Sequence, residues 1–260
     1  MNIAHKKSMH YKSNFLTRVI FRIDYNQINR LQTEKKPDIS KAIEAKYPFT
    51  KGMPTTQFNI NLSNTGAGLD QQDTGFVWEH RSDEKSKKVF AIAPTHLTLD
   101  YGKSQYDHYP LFREEVKYIY DNFINIYKIN DISRIGLRFV NVITLKEGNP
   151  LDWGGIINEK LAISSIAGQL EGMKITRTMH QLHALYDDIS VLFNYGIFNR
   201  DYPNPIARRE FILDYDCYIT GGIPATDTLN RLDDLNRVAE NAFENSIERG
   251  LRDIMEVIDE

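Results

Sequence analysis

The segment Ser133-Arg-Ile-Gly-Leu-Arg-Phe-Val-Asn141 constrains this chain more than any other, because its pattern occurs twice. Thr17-Arg-Val-Ile-Phe-Arg-Ile23 matches Ser133-Arg-Ile-Gly-Leu-Arg-Phe139 in residue type at every position but one, where Ile20 stands against Gly136. In a strand, side chains alternate between the two faces, so Arg18 points with Arg22 and Arg134 points with Arg138. Each pair is separated by about 13 Å at a rise of about 3.3 Å per residue. Val19, Phe21 and Ile23, like Ile135, Leu137 and Phe139, take the opposite face and form core. Gly136 leaves the sheet surface bare between Arg134 and Arg138.

The chain around these strands reads twice in the same order: strand, short helix, several strands, long helix. Leu16 to Asp24 alternates as a strand. Asp38 to Tyr47 suits a short helix that starts at Pro37 or Asp38 and stops before Pro48. Gln57 to Ser63, Gly75 to Arg81, Lys88 to Ala93 and Leu97 to Tyr101 read as strands, with loops at Asn64 to Gly68 and Asp83 to Lys87. Val116, Ile119, Tyr120, Phe123 and Tyr127 make Pro110 to Tyr127 an amphipathic helix.

The second copy opens with the strand Ile132 to Leu145. A helix is expected over Gly154 to Ile166. Met173 to Leu185 and Ile189 to Phe198 form a hairpin turning at Tyr186-Asp187-Asp188, and Arg208 to Tyr218 is a further strand. The last helix has Asp227 as N-cap and an apolar face of Leu232, Leu235, Ala239, Ala242, Phe243, Ile247, Leu251, Ile254 and Ile258. Glu114-Glu115-Val116 and Asp233-Asp234-Leu235 occupy matching places in the two long helices. The expectation is an α+β protein, an antiparallel sheet from two pseudo-repeats with the long helices on one face. Residues 1–13 form a polar arm, 14–130 the first half and 131–260 the second half of one compact unit.

Composition narrows the function classes. With 260 residues, 41% hydrophobic and 26% charged, the chain buries a substantial core. A net charge of −3 argues against a dedicated duplex-binding protein. Cys217 is the only cysteine, which excludes an intramolecular disulfide or a cysteine-based zinc site and suits a reducing, cytoplasmic compartment. No apolar run reaches the roughly 20 residues of a membrane helix.

The arginine strands admit two readings. In one, the guanidiniums pair with carboxylates such as Asp24, Asp100, Asp214 or Asp216 and build a structural face. In the other, Arg18, Arg22, Arg134, Arg138 and Asn141 line a groove that holds an anion, phosphate or carboxylate, through planar guanidinium forks. No catalytic set emerges. His180 and His183 fall on opposite faces of a strand, and His80 and His96 read as hydrogen-bonded structural residues. Glu44 and Lys46 lie along one helix and do not converge as a nuclease site requires. Gly66-Ala-Gly68 lacks the ending of a phosphate loop. No cofactor and no metal is expected.

Phe21-Arg-Ile-Asp24, Ser133-Arg-Ile-Gly-Leu-Arg-Phe-Val-Asn141 and Ala242-Phe243-Glu244 in the terminal helix together carry a resemblance. The chain resembles a sporadically distributed family of bacterial and archaeal proteins with no assigned activity, recognised by an Arg-Ile-Gly-Leu-Arg-aromatic-x-Asn strand. The likeness spans about Asn14 to Met255. Phe139 stands where tyrosine is equally expected. The patchy occurrence of that family is similar to that of genes in mobile islands, including toxin–antitoxin and antiviral defence cassettes. The resemblance implies no assigned activity, cofactor or catalytic residue. With no catalytic set in the sequence, the first reading is a non-enzymatic binding or regulatory protein acting through its sheet groove or long helices, one component of such a pair. In that reading its partner is another protein, such as the product of an adjacent gene. The alternative is an enzyme or sensor for a phosphorylated small molecule or nucleic acid. The C-terminal helix is expected to bury its apolar face against its own sheet, with a homodimer through that helix as the alternative.

Overall fold

The computed structural model describes residues 10–63, 66–162, 172 and 174–258. Its strands are β1 (His10–Tyr11), β2 (Leu16–Asp24), β3 (Phe49–Ser63), β4 (Gly66–Arg81), β5 (Lys88–Ile92), β6 (His96–Gly102), β7 (Asp131–Leu145), β8 (Thr178–Tyr186), β9 (Ile189–Ile197), β10 (Arg209–Pro224) and β11 (Val257–Ile258). Its helices are α1 (Arg30–Thr33), α2 (Asp38–Ala42), α3 (Tyr109–Tyr127), α4 (Thr228–Ser246) and α5 (Arg249–Met255). The main sheet has the order β3-β4-β5-β6-β2-β7-β10-β9-β8, and β1 pairs with β11 in a small second sheet. The α+β class expected from sequence holds.

Two compact units divide the chain, and the division does not fall at residue 131. One unit holds the described residues of Ile20–Gly136 and Thr220–Arg231; the other holds those of Met1–Val19, Leu137–Ile219 and Leu232–Glu260. They are called below the β3–β6 unit and the β8–β10 unit.

In the β3–β6 unit, β4, β5 and β6 pair antiparallel, with His80 opposite Phe90 and Phe90 opposite Leu99. Leu97, Leu99 and Tyr101 of β6 face one side and are buried. Helix α3 covers that side. Its Phe112, Val116, Ile119, Tyr120 and Phe123 recur at helical spacing and are buried. Phe112 meets Tyr101 edge-on at 5.1 Å, and Phe123 meets Tyr25 at 4.8 Å. The helix stops where Lys128 turns left-handed (φ 56°) and donates its N–H to the Ile124 carbonyl.

In the β8–β10 unit, β8, β9 and β10 pair antiparallel in continuous register. Phe211, Leu213, Tyr215 and Cys217 alternate into the core. Phe193 stacks on Tyr215 at 4.5 Å and Trp153 meets Phe211 at 5.2 Å. The Tyr215 hydroxyl lies beside Ser246 and Glu244 at the end of α4.

Three expectations are corrected. Gly154 to Ala162 is a series of turns rather than a helix, and residues 163–166 of that expected helix lie outside the described residues. The Asn149, Asp152 and Asn158 side chains accept from the backbone N–H two residues on, and Gly155 is left-handed (φ 71°). Such local bonds compete with helix formation. The C-terminal helix is not continuous either. It breaks at Ile247, which bridges Ile157, while Asn158 donates to the Ser246 carbonyl and Gly250 to that of Gly155. Backbone groups that would have bonded along the helix are satisfied by this turn segment. Lastly, the loop expected over Asn64 to Gly68 is strand from Gly66, with Gly68 opposite Asn61; positions 64 and 65 lie outside the described residues.

Candidate functional site

The alternation that buries one side of β2 and β7 leaves the arginines on the other. In β2, Val19, Phe21 and Ile23 are buried while Arg18 and Arg22 are exposed. In β7, Ile135, Leu137 and Phe139 are buried and Arg134 and Arg138 are half-buried. The faces match the sequence expectation for all four arginines. Asn141 differs. Its odd position puts it with Leu137 and Phe139, where it is buried and its amide approaches the Leu213 carbonyl at 3.4 Å. It supports the core side of β7–β10 and does not face the arginines.

In the β8–β10 unit, Arg138 grips Asp214. Its Nε donates to Oδ1 and its Nη2 to Oδ2, each at 2.7 Å. This is a bidentate fork, the geometry that planar guanidinium and carboxylate share. The Asp214 side chain is 9% exposed, and Asn194, its neighbour across the β9–β10 ladder, donates to Oδ2 at 3.4 Å. The Asp214 bond, together with the charge of Asp216, raises the Arg138 pKa above its ordinary value against the opposing effect of burial. Arg18 is exposed in the same unit.

In the β3–β6 unit, Arg22 Nε donates to Asp24 Oδ1 at 2.7 Å. Partial burial lowers the His96 pKa, the Arg22 charge adds to that, and Asp24 opposes it. Arg134 folds back along its own strand, so that a Cβ on Gly136 would lie 2.8 Å from its guanidinium. The surface that Gly136 leaves bare is therefore occupied by Arg134 itself.

Two clusters escaped the sequence reading. Ser40 Oγ lies 2.7 Å from His80 Nε2, with both residues buried. Burial lowers the His80 pKa to about 4. A serine and histidine in contact have the chemistry of a nucleophile and base, but neither reaches a substrate from inside the core. In the second cluster, Glu115 accepts from Tyr47 (2.8 Å) and Lys46 (3.2 Å) and lies 3.4 Å from Lys88. Burial pushes the Glu115 carboxyl up, but Tyr47 and the two ammonium groups outweigh it and hold its pKa below the ordinary value. No sequence signal marks either cluster, since the partners lie on separate elements.

The remaining candidates resolve simply. His180 stacks on Tyr195 at 5.1 Å, while His183 lies opposite Leu192 on the other face of β8. Lys46, read beside Glu44 in sequence, bonds Glu115 instead. Cys217 is buried, which pushes its thiol up to about 12. Among the described residues no group of three or more His, Cys, Asp or Glu side chains is arranged to hold a metal ion. No helix among them is long and apolar enough to cross a membrane. Compared with known proteins, the chain matches no family model and no curated sequence.

Proposed function

We propose that this protein is a binding or regulatory component that acts through a protein partner, and that its arginine strands build the scaffold of that surface. One observation carries the reading: the fork of Arg138, in the second copy of the motif, is engaged on both prongs by Asp214. A guanidinium held this way fixes the geometry of β7 against β10 and is already satisfied before any anion arrives. The family resemblance supports a place in a two-gene defence or toxin–antitoxin pair.

The reading includes descent from a duplicated unit. Outward from β2 the sheet runs β6, β5, β4, β3; outward from β7 it runs β10, β9, β8, one strand fewer. Helices α3 and α4, each of 19 residues, follow β6 and β10. The shared sense of the strand order and the equal helix length support common ancestry of the halves, and superposition of the paired elements tests it.

Expression with the product of the adjacent gene is the direct experiment, and co-purification in fixed stoichiometry is the expected result. A second reading, an anion sensor, draws on the exposure of Arg22, whose side chain is 44% accessible beside Asp24 and His96. A thermal-shift series with nucleotides, with and without Mg²⁺, separates the two, because a ligand that binds the folded state raises Tm. A nucleotide-induced rise that disappears in Arg22→Ala would replace the first reading with the second.

A further inference from the structure

We propose that the protein forms a twofold dimer by antiparallel pairing of β8 with β8 of a second copy, centred on Leu182. Three observations carry the proposal.

The first is that β8 ends the sheet order, and among the described residues no strand pairs with its far side. Both of its faces carry exposed apolar side chains: Met179 is 39% accessible, Leu182 51% and Leu185 72%. Edge strands are ordinarily protected by lysine, proline, a bulge or short length. Thr178–Tyr186 has nine residues, keeps unbroken register with β9, and contains no Pro, Lys, Arg, Asp or Glu.

The second is that the strand is complementary to itself. A twofold axis at Leu182 sets Leu182 against Leu182, Gln181 against His183, His180 against Ala184 and Met179 against Leu185. In antiparallel pairs, directly opposed residues share a face. Each opposition here joins two odd or two even positions, so both faces stay in phase. The outer apolar residues meet each other, the polar pair meets across the strand, and no two like charges are opposed.

The third is the direction of the backbone groups. Tyr186 and Ile189 close the two-residue turn at Asp187-Asp188. The closing pair of such a hairpin exchanges both hydrogen bonds, and bonded pairs then alternate along the ladder. Even-numbered residues of β8 therefore direct their N–H and C=O toward β9. Met179, Gln181, His183 and Leu185 direct theirs outward, and an axis at Leu182 opposes these residues to one another: Gln181 to His183 and Met179 to Leu185. An axis moved by one residue, to Gln181 or His183, keeps a bonded ladder but sets Leu185 against Arg177 or Met179 against Asp187 instead of against each other.

Sedimentation equilibrium of the full chain over roughly two decades of concentration tests the proposal, since a dimer population follows mass action. The expected result is a monomer–dimer equilibrium. Leu182→Lys opposes two ammonium groups at the axis and weakens the dimer at least about 100-fold. An equimolar mixture of Leu182→Lys with Leu182→Glu restores association, which also shows that both variants fold. His183→Pro removes an outward N–H and abolishes the dimer while the unfolding midpoint changes little, because proline is tolerated on the free side of an edge strand. A monomer at every concentration overturns the proposal and leaves the edge to a strand from another protein. A dimer that survives both Leu182→Lys and His183→Pro overturns it equally.

Discussion

Tyr11 donates its hydroxyl to Glu244 Oε1 across 2.6 Å, which joins the start of the described chain to the end of α4. Glu244 is 8% exposed, and Arg252 of α5 completes the cluster through its Nε at 3.1 Å from Oε2. Nearby, β1 pairs with β11 and Lys12 donates its N–H to the Glu256 carbonyl. The N-terminal residues expected to form a polar arm are thus fastened, from His10 on, to the C-terminal segment.

That cluster sets the first prediction. Arg252→Met leaves the Glu244 carboxylate buried without its cation and costs about 2–3 kcal/mol. Tyr11→Phe removes one hydrogen bond to a charged acceptor and costs about 1.5 kcal/mol. Urea unfolding gives both values. Equal losses in the two variants would contradict the assignment of Arg252 as the principal partner.

Arg138 and Asp214 behave as a structural pair. Arg138→Ala strands a carboxylate that is 9% exposed, and destabilises by about 2 kcal/mol. The loss stays below the roughly 3–5 kcal/mol of a fully buried pair because Arg138 itself is 41% exposed. Arg138→Lys recovers only part, since an ammonium cannot form the fork. Chemical denaturation distinguishes this from a ligand site, at which Arg138→Ala leaves the midpoint unchanged.

His80 makes stability depend on pH. Its folded value near 4 lies below the 6.5 of a free imidazole, lowered by burial first and then by the Lys36 charge. The neutral ring is stable in the core above about pH 6.5, and its contribution is lost as pH falls toward 4. The unfolded state takes up the proton first, and the full effect is about 3 kcal/mol. His80→Gln removes this slope. The check is the difference in unfolding free energy between wild type and variant at pH 7, 5.5 and 4, and parallel curves refute it.

Gly196 of β9 and Gly136 of β7 separate by tolerance. At Gly196, φ is 131° and a Cβ would lie 2.2 Å from the Thr178 carbonyl oxygen, so Gly196→Ala forces β8 away from β9 and costs about 3 kcal/mol or more. At Gly136 the colliding group is the tip of the Arg134 side chain, which can swing aside. Gly136→Ala therefore changes stability by less than about 1 kcal/mol. Thermal unfolding of the two variants ranks them, and the reverse order contradicts the structure.

Local periodicity determined much of this protein. Alternation placed Val19, Phe21 and Ile23 inside and Arg18 and Arg22 outside, and helical spacing located Phe112 to Phe123 of α3, because each pattern follows from the geometry of its own element. Tertiary structure decided what those patterns meet. The partner of Arg138 lies in another strand at Asp214, the break at Ile247 is made by backbone bonds from residues 155–158, and Ser40 finds His80 on a separate strand. A side chain's direction is set by neighbours along the chain. Its partner depends on which distant elements the core draws together, and spacing along the sequence carries no record of that.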